Sequence, residues 1–231
     1  MTTPYPKDSK AGAEQVAQAL LDAGCVTART DEPFRLPSGW ASPVYMDCRR
    51  LISFPSLRHE LVERGLEVLR ARGALEGVTA VAGGEASGIA MAAWVAQALN
   101  LPMQYVRKKQ AGQSQIEGVL APGDKVLLVD DMMASGQSKL RFYRALASAG
   151  ATVSDLFIIF DYGTFFTEQL LQPVGVKVHA LATWRNILAV AQQRGDFDQR
   201  TLSELQQFLE DPAGWSQRHG GIAEYRPSPK R

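Results

Sequence analysis

Cysteine and histidine are scarce in this chain, whose 231 residues include two cysteines and three histidines. Neither Cys25 nor Cys48 lies in a CxxC pair or beside a histidine at metal-ligand spacing, so we expect no zinc site. Two free, buried thiols are predicted, with a single disulfide as the alternative. The histidines have no Ser or Cys partner at a meaningful spacing, so the sequence does not indicate a catalytic triad.

Long apolar runs and a surplus of one charge are also missing. The formal net charge is +1, which argues against a protein built for nonspecific nucleic-acid binding. No apolar run approaches the roughly 20 residues of a membrane span, and the opening MTTPYPKDSK has no apolar signal core. We therefore expect a soluble, cytoplasmic protein that binds neither nucleic acid nor membrane.

Short apolar strands alternate with helical stretches along most of the chain. We predict strands at 78–82, 103–106, 125–129, 153–160 and 176–181, and helices at 13–23, 57–69, 89–98, 139–149, 165–171, 184–194 and 202–209. This alternation predicts a single α/β domain with a mostly parallel, doubly wound sheet. Ligands of such sheets bind at the carboxyl ends of the strands, where the segments 83–88 and 130–138 fall.

The segment VLLVDDMMASGQSK, residues 126–139, combines a buried strand, two acids and a turn of small residues. The carboxylates of Asp130 and Asp131 are suited to accept hydrogen bonds from vicinal ribose hydroxyls. The turn at 134–138 opens a helix, and its backbone N–H groups can close around a phosphate. Read alone, paired acids after a strand also fit a helix cap or a magnesium site.

This segment resembles the binding motif of the type I phosphoribosyltransferase family, which has four apolar residues, two acids and a small Thr/Ser/Gly loop. Over roughly residues 34–209 the chain resembles the orotate-specific members of that family. FRLPSGWASPVY looks like their base-covering segment, GGEASGIA like their pyrophosphate loop, and VRKKQAGQSQIEG like their mobile loop. The resemblance implies the type I fold with a small N-terminal flap. We divide the chain into an N-terminal helix and flap (1–55), a core sheet (56–182) and a helical tail (183–231).

The resemblance also implies an activity, a cofactor and a set of residues. The reaction would transfer a phosphoribosyl group from phosphoribosyl pyrophosphate to orotate, giving orotidine 5′-monophosphate and pyrophosphate. Mg²⁺ would be held mainly by the substrate, and in a homodimer the 107–117 loop would reach the neighbouring site. The implied residues are Asp130, Asp131 and Lys109 for catalysis; Arg107, Lys108, Asp130, Asp131, Met132, Met133, Ala134, Ser135, Gly136, Gln137 and Ser138 for the donor; Glu85, Ala86, Ser87 and Gly88 for pyrophosphate; and Tyr45, Ala134 and Tyr162 for the base.

Three positions depart from the family pattern. Ala111 stands where the loop pattern R-K-x-x-K has its second lysine, Pro37 replaces a lysine of the base-covering segment, and Tyr162 replaces an arginine that pairs with the orotate carboxylate in many relatives. Arg35 or Arg49 could hold that carboxylate instead. Two alternatives stay open: a phosphoribosyltransferase for another base, and a weakly active or inactive relative that senses phosphoribosyl pyrophosphate or a nucleotide.

Overall fold

A six-stranded sheet organises the fold of the computed structural model, which describes residues 9–36, 38–111, 114–164 and 170–224. Its spatial order is β10-β9-β8-β5-β6-β7. The first five of these strands run parallel, and β7 is antiparallel at the edge. The strands are β5 (Ala80–Gly84), β6 (Met103–Ala111), β7 (Ser114–Glu117), β8 (Lys125–Met133), β9 (Thr152–Asp161) and β10 (Lys177–Thr183). The predicted α/β class with a mostly parallel sheet is confirmed.

Helices cover both faces of this sheet, because its strands present apolar side chains on both sides. One buried cluster includes Leu127 and Val129 of β8, and the other includes Val126 and Leu128 of the same strand. The helices are α1 (Ser9–Asp22), α2 (Pro55–Ala71), α3 (Ser87–Leu99), α4 (Gln137–Ser148), α5 (Trp184–Arg194), α6 (Gln199–Glu210) and α7 (Pro212–Arg218). Most of the helix predicted at 165–171 lies outside the described residues. Within the described ranges, no helix is long and apolar enough to cross a membrane.

Two small antiparallel pairs precede the main sheet in the chain, and one of them is bonded to its carboxyl end. Strand β1 (Val26–Ala28) pairs with β4 (Val44–Met46), and β2 (Phe34–Arg35) pairs with β3 (Ala41–Ser42). The hydroxyl of Tyr162, just after β9, accepts a hydrogen bond from the Met46 amide at 3.2 Å. This bond joins the N-terminal strands to the carboxyl end of the main sheet.

Several strand ends differ from the sequence prediction. β8 continues through Met133 instead of ending at 129, because its last residues keep their pairing with β9. β6 continues to Ala111 and forms a hairpin with β7, where the sequence predicted an irregular loop. β5 includes Gly84, so only Glu85 and Ala86 separate it from α3. Most residues of the glycine-rich stretch 83–88 therefore belong to the end of β5 or to the start of α3, and not to an open turn.

The prediction of two free thiols is confirmed. Cys25 and Cys48 are both buried and unbridged. Burial raises the pKa of the Cys25 thiol to about 11. Both cysteines therefore act as small apolar core residues in their neutral form.

Candidate active site

Two aspartates lie in the second half of β8, in the middle of the main sheet. Asp130 and Asp131 have 4% and 5% of their surface exposed. The sequence predicted them on a turn after the strand, and the structure places them within the strand itself. Their backbone is therefore fixed by strand pairing, so the carboxylates have defined positions before any ligand binds.

Asp130 is held in place by a buried ion pair. Its Oδ2 atom accepts a hydrogen bond from the Nζ atom of Lys139 at 2.5 Å, and its Oδ1 atom accepts one from the Asp131 amide at 2.9 Å. The side chains of Lys139 and Asp130 are 8% and 5% exposed. A buried charge is expensive unless it is paired and hydrogen-bonded, and this arrangement meets both conditions. Asp130 is thus largely saturated by the protein.

Asp131 is held through one oxygen only. Its Oδ1 atom accepts hydrogen bonds from the Ser87 hydroxyl at 2.9 Å and from the Met132 amide at 2.8 Å. Within the described part of the chain, no group hydrogen-bonds to its Oδ2 atom. Burial, followed by the negative charge of Asp130, raises the pKa of Asp131 to about 7. The free oxygen and the raised pKa make Asp131 the carboxylate that is poised to meet a hydroxyl group or a cation.

The start of α3 approaches these aspartates very closely. A Cβ atom at Gly88 would lie 2.8 Å from Asp130 Oδ1 and 2.9 Å from the Val129 carbonyl oxygen, so only glycine fits there. Ser87, the first residue of α3, can bridge both carboxylates, although its 3.4 Å contact with Asp130 is long. The amides of Ser87 and Gly88 lie in the first helical turn, where N–H groups have no intrahelical acceptor. They are available to an anion in the way predicted for the pyrophosphate loop.

Glu85 has a different role from the one predicted. Its amide donates to the Val106 carbonyl oxygen at 2.9 Å, so it is not available to pyrophosphate. Its carboxylate accepts a hydrogen bond from the Lys108 amide at 2.6 Å. Glu85 therefore fastens the turn after β5 to the neighbouring strand, and Ala86 to Gly88 remain as the predicted donors.

A small-residue turn follows β8 and leads directly into α4. Gly136 caps this helix with φ +71°, a left-handed conformation that favours glycine. Ala134 and Ser135 are half-buried beside it, as are Gln137 and Ser138 at the start of the helix. The first-turn amides of α4 point out of the helix end, where its dipole is positive. Met132 and Met133 belong to β8. The predicted phosphate cradle thus begins at Ala134, directly after the strand that carries both aspartates.

The predicted mobile loop is an edge hairpin in this structure. Arg107 forms an ion pair with Glu117 across the hairpin at 2.6 Å. Lys108 and Lys109 are exposed, and neither forms an ion pair with a described residue. Ala111 faces Ser114 across the tip of the hairpin. Within one chain, the structure does not pair these three cations with Asp130 or Asp131.

The residues predicted for the base divide into two groups. Tyr162 is 1% exposed, and its ring packs edge-on against Phe160 and Trp184, so it belongs to the core. Tyr45 is half-buried on β4, where its hydroxyl accepts a 3.3 Å hydrogen bond from Arg49. The Arg49 guanidinium is also paired with Asp47 at 2.6 Å. A role in base binding stays a prediction for Tyr45, and also for Ala134, which lies in the cradle.

Sequence reasoning missed Lys139 and the linking roles of the Ser87 and Glu85 side chains. Lysine is rarely fully buried unless it is paired. Helical periodicity alone does not indicate which residue Lys139 would pair with. The one available signal was the need of two adjacent buried acids for a counterion.

The donor set suits a hard cation held by few protein ligands. Among the described residues, no group of three or more His, Cys, Asp or Glu side chains is arranged to hold a metal ion. Mg²⁺ commonly binds through one or two carboxylates plus substrate phosphates. The free Oδ2 atom of Asp131 fits that description, in keeping with the predicted metal held mainly by the substrate.

A parallel sheet whose central strand brings two acids to a small-residue phosphate cradle is the architecture of a phosphoribosyltransferase. The family model described as the phosphoribosyl transferase domain matches residues 67–163. Among curated proteins, the chain is 42% identical over 228 residues to an orotate phosphoribosyltransferase of Rhizobium rhizogenes, covering 97% of this chain and 98% of the relative. It is 44% identical over 211 residues to that of Dinoroseobacter shibae, covering 90% and 93%. The chain belongs to the orotate phosphoribosyltransferase family.

Solved structures agree with this assignment. Orotate phosphoribosyltransferase from Aeropyrum pernix superposes with a TM-score of 0.67 at 31% identity, over 79% of this chain and 99% of that one. UMP synthase from Leishmania donovani gives a TM-score of 0.77 at 25% identity, over 87% of this chain and 43% of that one. The type I phosphoribosyltransferase fold is therefore confirmed.

Proposed function

We propose that this protein transfers the phosphoribosyl group of phosphoribosyl pyrophosphate to orotate, giving orotidine 5′-monophosphate and pyrophosphate. The observation that carries the proposal is the geometry at the end of β8. There, one carboxylate with a free oxygen, the open amides of two helix starts and a phosphate cradle converge. Full-length similarity to orotate phosphoribosyltransferases supports orotate as the acceptor.

We propose separate tasks for the residues at the two ends of the donor, and the geometry described above supports them. Asp131 would accept a hydrogen bond from a ribose hydroxyl through its free oxygen, and the cradle from Ala134 to Ser138 would hold the 5′-phosphate. The amides of Ser87 and Gly88 would face the pyrophosphate. When the bond between the anomeric carbon and pyrophosphate breaks, its electron pair leaves with pyrophosphate and positive charge develops on the ribose. A ring nitrogen of orotate forms the new bond to that carbon and gives up its proton to water or to the departing pyrophosphate. Fixed dipoles aimed at the departing charge lower the barrier to this step.

Magnesium would complete the donor site. Held mainly by the phosphoribosyl pyrophosphate, it would neutralise charge on the leaving pyrophosphate. The protein's part is to hold the Asp131 carboxyl group in position through Ser87 and the Met132 amide.

A homodimer would complete the site with cations. The hairpin at 107–117 carries Arg107, Lys108 and Lys109, and we propose that it reaches the site of the neighbouring subunit. Lys109 would supply the positive charge over the leaving group. A role in pyrimidine synthesis fits a cytoplasmic protein with two free thiols.

A steady-state assay tests the proposal directly. Purified protein with Mg²⁺ and phosphoribosyl pyrophosphate should consume orotate and release pyrophosphate. Asp131→Asn is the matched control, because the amide oxygen can keep the bonds from Ser87 and Met132 while the charge is lost. Turnover with adenine or uracil but not with orotate would assign a different acceptor.

The short hairpin favours one alternative function. Near its tip it has Ala111 instead of the lysine expected from the family, so it carries one positive charge fewer at that position. A protein with an intact donor site and a depleted hairpin would bind phosphoribosyl pyrophosphate without turning it over. Saturable donor binding by calorimetry together with no turnover on any base would establish such a sensor.

A further inference from the structure

A second basic site lies outside the candidate active site, in a groove between the β6–β7 hairpin and α4. The groove is shallow and open to solvent, with a volume of about 540 Å³. Its walls include Lys108 and Gln110 from β6, Gln115 from β7, and Arg141 and Arg144 from α4.

The charge of this groove is of one sign. None of the described residues that line it is acidic. Lys108, Arg141 and Arg144 form no ion pair with any residue in the described ranges, and all three are exposed. By contrast, the side-chain Nε2 atom of Gln115 already donates a hydrogen bond to the Arg107 carbonyl oxygen at 2.7 Å. Three available cations that face one groove select a ligand with several negative charges, and guanidinium groups match phosphate oxygens in pairs.

The groove is connected to the candidate active site through α4 and through Lys108. On the inner side of α4, Lys139 reaches Asp130, whereas Arg141 and Arg144 face outward into the groove. The backbone of Lys108 is bonded to Glu85 at the turn predicted to hold pyrophosphate. A ligand that bridged Lys108 and the two arginines would therefore fasten the hairpin to the helix that begins at the cradle.

We propose that this groove binds a di- or triphosphate group and that its occupancy fixes the position of the β6–β7 hairpin. The ligand class is a phosphoanhydride, either inorganic or part of a nucleotide. The proposal concerns a ligand other than the substrates of the proposed transfer reaction. The groove shares Lys108 and the hairpin with the proposed donor site, so the test changes only Arg141 and Arg144, which have no part in the proposed transfer.

Calorimetric titration with inorganic tripolyphosphate at fixed ionic strength tests the site. The groove variant is Arg141→Gln with Arg144→Gln, and the control is Arg70→Gln with Lys177→Gln, which removes the same charge from exposed positions elsewhere. Any binding at the active site is common to all three proteins, so only the difference between the two variants is informative. We expect binding at least about tenfold weaker in the groove variant and unchanged in the control.

Equal affinity in the groove variant and the control, or no saturable binding by the wild type, would overturn the proposal. Arg144→Gln alone provides a milder test should the double variant unfold, and it should weaken binding in the same direction. Repeating the titration with ATP separates the sources. An affinity equal to that of tripolyphosphate indicates recognition of the phosphate chain alone, and a tenfold gain indicates a nucleotide site.

Discussion

The buried pair of Lys139 and Asp130 predicts a large loss of stability when one partner is removed. Lys139→Met keeps the length of the side chain and deletes its charge. Asp130 would then have no cation beside it, with a side chain that is 5% exposed and with only the Asp131 amide as a strong donor. Breaking a buried pair in this way costs about 3–5 kcal/mol. For a domain of this size that corresponds to a fall in melting temperature of about 6–20 °C.

Thermal or urea denaturation measures this loss, and a double-mutant cycle identifies its cause. Lys177→Met is the matched control, because Lys177 is exposed and its replacement should change the stability by less than about 0.5 kcal/mol. Adding Asp130→Asn to Lys139→Met should recover part of the loss, since no charge is then left unpaired.

Two results would refute this reasoning. One is a loss below about 1 kcal/mol for Lys139→Met, which would mean that water or a rearrangement satisfies Asp130 without the lysine. The other is a double variant as unstable as the sum of the single changes, because independent sites add and coupled sites do not.

Three further predictions concern ligand binding and turnover. Asp131→Asn should lower turnover at least about tenfold, which corresponds to about 1.4 kcal/mol of barrier. It should also stabilise the ligand-free protein at pH 8 by up to about 4 kcal/mol. The reason is that the pKa of Asp131 is raised to about 7 in the folded protein. Its neutral form therefore contributes stability that is present below about pH 4 and lost as the pH rises through 7. The melting temperature should depend less on pH across this range in the variant than in the wild type. Ser138→Ala should weaken donor binding in calorimetry while the melting temperature stays within a few degrees, and the opposite pattern would make Ser138 structural. Ala111→Lys should raise turnover by restoring a cation at the hairpin, and an unchanged rate would show that Lys109 or the short hairpin already replaces it.

The order of strands and helices follows from the apolar pattern, and the structure agrees with most of it. The helix predicted at 184–194 has those ends, and that predicted at 57–69 extends over Pro55–Ala71. Pro55 fixes a helix start through its locked φ, and Gly73 follows the end in a left-handed conformation, φ +66°. The missed helix Pro212–Arg218 had the same kind of signal, since Asp211 caps it and Pro212 is its first residue.

The strand ends near the site were less predictable, for a physical reason. Aspartate and lysine are depleted in strands, so DDMM after Val129 and RKKQA after Val106 read as loops. In the fold, β8 is extended by pairing with β9, and Asp130 is accommodated there by Lys139, which is distant in space until α4 packs. β6 can be polar because it leads into an exposed edge hairpin, where charged side chains remain in water. Tertiary contacts thus override local propensity at the places where the chain carries its charges.

The two adjacent aspartates look equivalent in the sequence, and their surroundings make them unequal. Both oxygens of Asp130 accept hydrogen bonds, one of them from a buried ammonium group, so this residue supplies a fixed negative charge beneath the site. Burial, and after it the negative charge of Asp130, raises the pKa of Asp131. Within the described ranges, no lysine or arginine forms an ion pair with Asp131. A metal ion or a ribose hydroxyl that approaches the free oxygen of Asp131 supplies the partner that this carboxyl group lacks. The free energy gained on binding is therefore larger than it would be if both aspartates already had all their hydrogen-bond partners. The lysine that neutralises one aspartate therefore directs the ligand to the other.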